Sequence, residues 1–163
     1  AAHRMPAGEA RRDAFTLLGK AAFLQEEEGA LFDDWTAAGD QGLRDDLAHA
    51  LASAAGSMGG GGPEGDSAEE RERNLAQART RFRTVYGGTS DLRVRHELLR
   101  AAPYGFGLMG SNAASDASFL AELATQERDP ALRERLGRLS EAAGQGVTLG
   151  TKEWDEILKG KGR

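Results

Sequence analysis

Three eight-residue segments share one pattern, and the fold class follows from it: they read DQGLRDDL (40–47), DLRVRHEL (91–98) and DPALRERL (129–136). Each segment has Asp at its first position, Leu or Val at the fourth, Arg at the fifth and Leu at the eighth. The aspartates lie 51 and 38 residues apart. Without about eleven residues of a glycine-rich insertion, the first interval is roughly 40 residues, which is the period of helix-pair repeats.

The residues before each segment repeat as well. Twelve positions before the Leu or Val lie Leu31, Phe82 and Leu120, and eight positions before it lie Trp35, Tyr86 and Ala124. Residues four apart share one face of a helix, so each unit is predicted to be a helix, a tight turn and a second helix. Each Asp is placed to cap the second helix by accepting a hydrogen bond from the free N–H groups of its first turn.

The composition favours an all-helical protein with a single domain, residues 1–163. The chain has 28 Ala and 19 Leu but only 3 Val and 1 Ile, and sheets prefer β-branched residues. Apolar residues make up 39% of the chain, which is enough for a buried core. There is no cysteine, so disulfides and thiolate metal sites are excluded. No stretch is long and apolar enough for a membrane span.

The periodicity predicts eight helices, at 8–20, 22–38, 41–55, 68–86, 91–102, 115–127, 130–143 and 152–159. Residues 56–67 are rich in Gly and are expected to form a flexible insertion, and residues 103–114 are expected to form an apolar loop. Residues 10–18 match the second-helix register, so the chain is expected to begin with the second helix of an incomplete repeat. The helix at 152–159 is amphipathic and is expected to cap the stack.

The pattern Asp-x-x-[Leu/Val]-Arg-x-x-Leu resembles the second helix of HEAT repeats and of the related armadillo repeats. The resemblance covers residues 10–143, in three full copies and one half. It implies a short right-handed α-α superhelix of about three to four helical hairpins. It also implies a structural ladder between neighbouring repeats, which here consists of Asp40, Arg44, Asp91, Arg95, Asp129 and Arg133. Such proteins mostly bind other proteins along the surface of their second helices, so the resemblance implies a non-catalytic scaffold or adaptor.

The repeat register predicts which side chains lie on that surface. Six positions after the Leu or Val lie His49, Arg100 and Arg138. We expect these residues and Glu97 to contact a protein partner, because arginines in one column are suited to binding acidic groups. The alternative is an ordinary solvated helix face, with i,i+4 pairs such as Glu134 with Arg138.

A second predicted contact is the apolar loop, through Tyr104, Phe106 and Met109. Exposed aromatic side chains on a glycine-rich loop are typical of binding sites. The alternative is that this loop folds back and fills the groove between two repeats, because exposed apolar clusters are usually covered.

Two other functions remain open. His96 and Glu97 resemble the His-Glu pairs with which HEAT-repeat deoxyhypusine hydroxylase binds two irons, but the equivalent positions hold Asp45-Asp46 and Glu134-Arg135. A preorganised di-iron site needs more converging ligands than these. The arginines of the helix between Arg71 and Arg83 are a candidate contact for a DNA backbone, although the net charge of −5 argues against nucleic-acid binding.

The sequence indicates no catalytic residue, no metal site and no cofactor, and it leaves the oligomeric state open. Seventeen arginines against four lysines are typical of a GC-rich, bacterial genome. Residues 1–9 lack the apolar core of a signal peptide. The sequence therefore slightly favours a cytoplasmic protein and leaves an exported mature chain open.

Overall fold

The computed structural model describes residues 4–6, 8–57, 67–105, 113–146 and 151–160, and regular structure in these ranges is helical throughout. The helices are α1 (Glu9–Leu24), α2 (Glu28–Ala37), α3 (Gln41–Ser57), α4 (Ala68–Gly88), α5 (Leu92–Gly105), α6 (Ala113–Gln126), α7 (Pro130–Gly144) and α8 (Thr151–Leu158). The predicted all-α fold is confirmed for these ranges, and each predicted helix is present. None of these helices combines the length and the apolar composition that crossing a membrane requires.

The turn between α1 and α2 lies at residues 25–27, whereas the sequence pattern places it at residue 21. Glu26 has a left-handed backbone conformation with φ of 57°. Two hydrogen bonds close the turn, from Glu26 N to Phe23 O (3.2 Å) and from Glu27 N to Ala22 O (2.8 Å). This is a Schellman C-cap, at which glycine is the usual residue. A glutamate occupies the position here, so the sequence carries no signal for the turn.

The helices on either side of the two predicted loops extend into the residues assigned to those loops. α3 continues to residue 57, and Ser67 caps α4, so the predicted insertion 56–67 contributes to both helices. The start of α4 is a capping box, in which Ser67 Oγ accepts from Glu70 N at 3.2 Å and Glu70 accepts from Ser67 N at 2.8 Å. α5 likewise includes residues 103–105. Residues 58–66 and 106–112 lie outside the described residues.

After α1, the chain forms three helical hairpins: the first is α2–α3, the second α4–α5 and the third α6–α7. α1, α3 and α5 pack side by side, and α4 packs against α6. Between α4 and α6, the rings of Phe82 and Phe119 meet edge to face at 6.2 Å. Between α2 and α4, the ring of Trp35 lies directly on Gly88, where an added Cβ would stand 2.7 Å from the ring.

The apolar core contains the residues that the repeat pattern predicts. Five of the six column residues are buried, namely Leu31, Trp35, Phe82, Tyr86 and Leu120, and the sixth, Ala124, packs against the core from a partly buried position. α8 contacts both α5 and α7, and its Trp154 and Leu158 are almost fully buried. Trp154 Nε1 donates to Leu99 O at 2.7 Å, which fixes α8 on α5.

The repeated aspartates cap their own helices, as predicted. Asp40 accepts from Leu43 N at 2.8 Å, Asp91 from Arg93 N at 2.8 Å and Asp129 from Leu132 N at 2.9 Å. A side-chain oxygen in this position satisfies an N–H group that has no partner within the helix. These caps explain why the second helix of each hairpin begins where it does.

The repeated arginines differ from the ladder that the resemblance implies, because each one binds the turn of its own hairpin. The guanidinium Nε donates to the carbonyl six residues earlier in all three cases: Arg44 to Ala38 O (2.7 Å), Arg95 to Thr89 O (2.7 Å) and Arg133 to Glu127 O (2.9 Å). Among the described residues, Arg95 is the one of the three that also reaches the next hairpin, where its Nη1 donates to Glu127 Oε1 at 2.7 Å. The recurring contact therefore holds a turn together, and a contact between hairpins is added at one position.

The side chain of Glu127 is fully buried between the second and third hairpins. It accepts hydrogen bonds from Arg95, from the Tyr86 hydroxyl and from Asp129 N. Burial raises the pKa of Tyr86 far above its ordinary value, and the hydrogen bond to the Glu127 carboxylate raises it further. Tyr86 is therefore a fixed donor to this carboxylate at physiological pH.

We expect Arg95→Ala to lower the free energy of unfolding by about 3 kcal/mol, because it leaves the Glu127 carboxylate buried without its charged partner. Arg100→Ala is the matched control: the Arg100 side chain is 54% exposed and lies 3.7 Å from Asp155. Its effect should stay within about 0.5 kcal/mol. Urea unfolding followed by circular dichroism measures both variants, and equal effects would contradict the account of this contact.

A second prediction concerns the closest approach between α1 and α3. A Cβ added at Gly19 would stand 2.1 Å from the Ala50 carbonyl oxygen, so Gly19→Ala must push the two helices apart. We expect a loss of about 1–3 kcal/mol in the free energy of unfolding. Gly137→Ala is the control, because nothing lies within 4 Å of its added Cβ. It should stabilise the protein by about 0.5–1 kcal/mol through helix propensity alone, and a stable Gly19→Ala protein would refute the packing described.

Candidate functional site

The predicted column of His49, Arg100 and Arg138 is not one exposed surface in the structure. His49 is buried, with 9% of its surface exposed, between α1 and α5. Arg100 is exposed on α5, and Arg138 is half-buried on α7. The structure brings His49 of α3 and Glu97 of α5 into contact. Arg100 lies in the lining of one groove together with Glu97, and Arg138 is not part of that lining.

His49 is the centre of a polar chain that joins α1, α3 and α5. Its Nδ1 lies 2.5 Å from Glu97 Oε2, and its Nε2 lies 2.7 Å from Thr16 Oγ1. The Thr16 hydroxyl donates to Arg12 O at 3.1 Å, four residues earlier in α1. Thr16 is not among the predicted site residues, although it holds the position of His49 in the incomplete repeat that starts at residue 10. The repeat register, extended to that half repeat, points to Thr16.

The hydrogen bond with His49 sets the ionisation of Glu97. Partial burial acts to raise the pKa of Glu97. The hydrogen bond and charge of His49, together with the charges of Arg12 and Arg93, outweigh this effect and leave the pKa below its ordinary value. Glu97 is therefore a carboxylate at neutral pH, and one of its oxygens is hydrogen-bonded to His49.

The order hydroxyl, imidazole and carboxylate is also that of a hydrolase triad. A triad nucleophile needs free N–H donors beside it to stabilise the oxyanion. Thr16 lies in the middle of α1, where the backbone N–H groups are already bonded within the helix. The geometry favours a cross-link between three helices over nucleophilic catalysis.

Other polar residues of the same surface also link neighbouring helices. Asp46 forms an ion pair with Arg11 of α1. Asp45 accepts from Ser90 N at 2.8 Å and from Ser90 Oγ at 2.5 Å, at the start of α5. A cavity of about 670 Å³ lies at these helix starts, and its lining has five carboxylates against three arginines. Its charge is therefore net negative, which does not favour an acidic partner.

A groove of about 380 Å³ lies between α5 and α7, and we call it the α5–α7 groove. Its lining consists of Leu92, Arg93, His96, Glu97, Arg100, Asp129, Leu132 and Arg135. Three of these residues are arginines, and of the two carboxylates Glu97 binds His49 and Asp129 caps α7. Leu92 is 49% exposed and supplies an apolar surface. The groove thus combines positive charge with one exposed apolar side chain.

α8 lies against the residues of the proposed His-Glu pair. His96 Nε2 lies 3.3 Å from Leu158 O, so the imidazole faces the backbone of α8. Glu97 is directed at His49 instead. In the described ranges, no group of three or more His, Asp and Glu residues is placed to hold a metal ion. The described residues therefore include no cluster of ligands for the metal-binding alternative.

The arginines of α4 that were candidates for DNA contact are mostly directed towards other helices. Arg79 binds Ser115 and Asp116 of α6. Arg83 donates to Glu122 Oε2 of the same helix at 2.6 Å. Arg81 lies over the ring of Phe32 at 5.4 Å. These contacts join helices, and Arg71 and Arg73 at the start of α4 are exposed.

The second predicted contact was the apolar loop. The backbone of Tyr104 belongs to α5, so this residue extends a helix rather than a loop. Phe106 and Met109 lie outside the described residues. Their part in binding stays a prediction.

The lowered pKa of Glu97 predicts a loss of stability in acid. A carboxyl group with a depressed folded-state pKa stabilises the protein above its ordinary value of 4.5, and this stabilisation is lost as pH falls through the folded value. Between about pH 5 and pH 3, wild type should lose about 1 kcal/mol more than Glu97→Gln, since the pair is partly exposed. Urea unfolding across this range measures the difference, with Glu134→Gln as the control substitution. Parallel pH profiles for wild type and Glu97→Gln would show that the pair contributes nothing.

Comparison with known proteins finds no match to a family model, to a curated protein or to a solved structure.

Proposed function

We propose that this protein is a non-catalytic adaptor of HEAT-like repeat architecture, and that it binds an acidic segment of a protein partner in the α5–α7 groove. The repeat architecture is supported by the three hairpins, which share one sequence pattern, one Asp cap and one contact from Arg to its own turn. It is also supported by the side-by-side packing of α1, α3 and α5. Stacked helical pairs of this kind present extended surfaces suited to protein binding.

The charge of the α5–α7 groove is the observation that carries the proposal. The chain as a whole has a net charge of −5, yet this groove has three arginines, Arg93, Arg100 and Arg135. Its two carboxylates are directed elsewhere, one at His49 and one at the first turn of α7. Arginine binds carboxylates in paired hydrogen bonds, so this charge favours an acidic segment.

The exposed side chain of Leu92 adds a requirement for the partner. An apolar contact surrounded by arginines fits a segment that carries one apolar side chain between acidic residues. Asp155 of α8 already provides one acidic group at the end of the groove, where it lies 3.7 Å from Arg100. A partner segment would make the same kind of contact with Arg93 and Arg135.

The test is capture of partners on immobilised protein, followed by cross-linking mass spectrometry to locate the segment that binds. Arg93→Glu/Arg100→Glu should lose the partner, because it reverses two charges of the groove on exposed side chains. Arg71→Glu/Arg73→Glu makes the same change in net charge on α4, away from the groove, and should retain the partner. The captured segment should be acidic, and its binding should weaken by about tenfold or more when salt is raised from 0.05 to roughly 0.5 M.

Two results would refute the proposal. One is a partner that both charge-reversal variants retain equally. The other is a partner that cross-links outside α5 and α7 or through a basic segment.

A further inference from the structure

A second cavity, of about 450 Å³, lies along the turns of the three hairpins, and we call it the turn-edge cavity. It is formed by the start of α3, the turn between α4 and α5 and the turn between α6 and α7. Four arginines line it, namely Arg44, Arg83, Arg95 and Arg128. It is separate from the α5–α7 groove, whose lining shares none of these residues.

The lining of the turn-edge cavity has an excess of positive charge. Glu127 is the one carboxylate in its lining, and this group is buried and already accepts from Arg95, Tyr86 and Asp129 N. Arg83 is paired with Glu122 of α6, so within the described residues Arg44 and Arg128 are the lining arginines that no carboxylate neutralises. An anion that enters the cavity would neutralise this charge.

Comparison of equivalent repeat positions shows that, among the described residues, Arg44 lacks the carboxylate partner that Arg95 has. Arg95 binds its own turn through Nε and donates through Nη1 to Glu127 of the next hairpin. Arg44 binds its own turn in the same way, but the matching residue of the next hairpin is Thr89, which has no carboxylate and donates to Val85 O. Within the described ranges, the terminal nitrogens of Arg44 have no hydrogen-bond partner. An external anion at Arg44 would take the role that Glu127 takes for Arg95.

The guanidinium groups are also held in place before any ligand arrives. Arg44 lies over the ring of Trp35 at 5.8 Å, and Arg95 lies over the ring of Tyr86 at 5.5 Å. Together with the hydrogen bonds to their turns, these contacts fix the donor positions. A site whose donors are already ordered loses little entropy on binding.

We propose that the turn-edge cavity binds a small ligand through a phosphate group. Phosphate carries up to two negative charges and three acceptor oxygens, which matches several guanidinium groups better than a single carboxylate does. The volume of the cavity lies in the range of small-molecule sites. This site is independent of the proposed partner groove, and either one can exist without the other.

The test is isothermal titration calorimetry of the whole protein at low salt with orthophosphate, pyrophosphate and adenosine monophosphate. Gly87→Asp is the decisive variant, because Gly87 lines the cavity and nothing lies within 4 Å of its added Cβ. It places a carboxylate in the site and should abolish binding, whereas Gly137→Asp adds the same charge on α7 outside the cavity and should leave binding unchanged. Arg128→Ala removes an exposed lining arginine and should weaken binding by about tenfold, whereas Arg100→Ala in the other groove should have no effect.

Each outcome decides the proposal. Binding of orthophosphate or pyrophosphate that Gly87→Asp abolishes would support a site for the phosphate group alone. Binding of adenosine monophosphate only, with the same response to Gly87→Asp, would support a phosphate ester whose organic part is needed. No binding of any of the three ligands, or binding that Gly87→Asp leaves intact, would overturn it.

Discussion

The buried carboxylate of Glu127 is the contact on which the position of the third hairpin depends. It accepts from Tyr86 of α4, from Arg95 of α5 and from the backbone at the start of α7. A carboxylate away from water is tolerated only when donors replace its hydration, and here they come from two hairpins. The turn that carries Glu127 is itself held by Arg133. Hydrogen-bond geometry therefore adds to apolar packing in fixing the two hairpins against each other.

A second set of polar contacts does the same for α1, α3 and α5. The hydrogen-bonded series Thr16, His49 and Glu97 and the ion pair of Arg11 with Asp46 involve residues of the helix faces on which the sequence predicts partner binding. These groups already have partners within the protein. Among the cavities of the described residues, arginines outnumber the lining carboxylates in two, the α5–α7 groove and the turn-edge cavity.

Much of the fold could be predicted from the sequence, because helical periodicity and Asp caps are local signals. The eight helices and most of the buried columns follow from them. The turn at Glu26 could not be predicted, since its left-handed conformation is adopted by a residue that rarely takes it. The environment of His49 could not be predicted either, because the register gives the face of α3 but not the residues of α1 and α5 that cover it. The contacts of the repeated arginines with their own turns differ from the inter-repeat ladder, and only Arg95 makes a contact of that kind.

The two tryptophans of the chain lie in opposite parts of the helical array. Trp35 reports on the first hairpin through its contact with Gly88, and Trp154 reports on α8 through its hydrogen bond to Leu99. In an array where each unit contacts mainly its neighbours, the two ends can lose structure at different denaturant concentrations. The intrinsic fluorescence of single-tryptophan variants thus provides an optical reporter for each end, so cooperative unfolding can be distinguished from stepwise unfolding without any attached label.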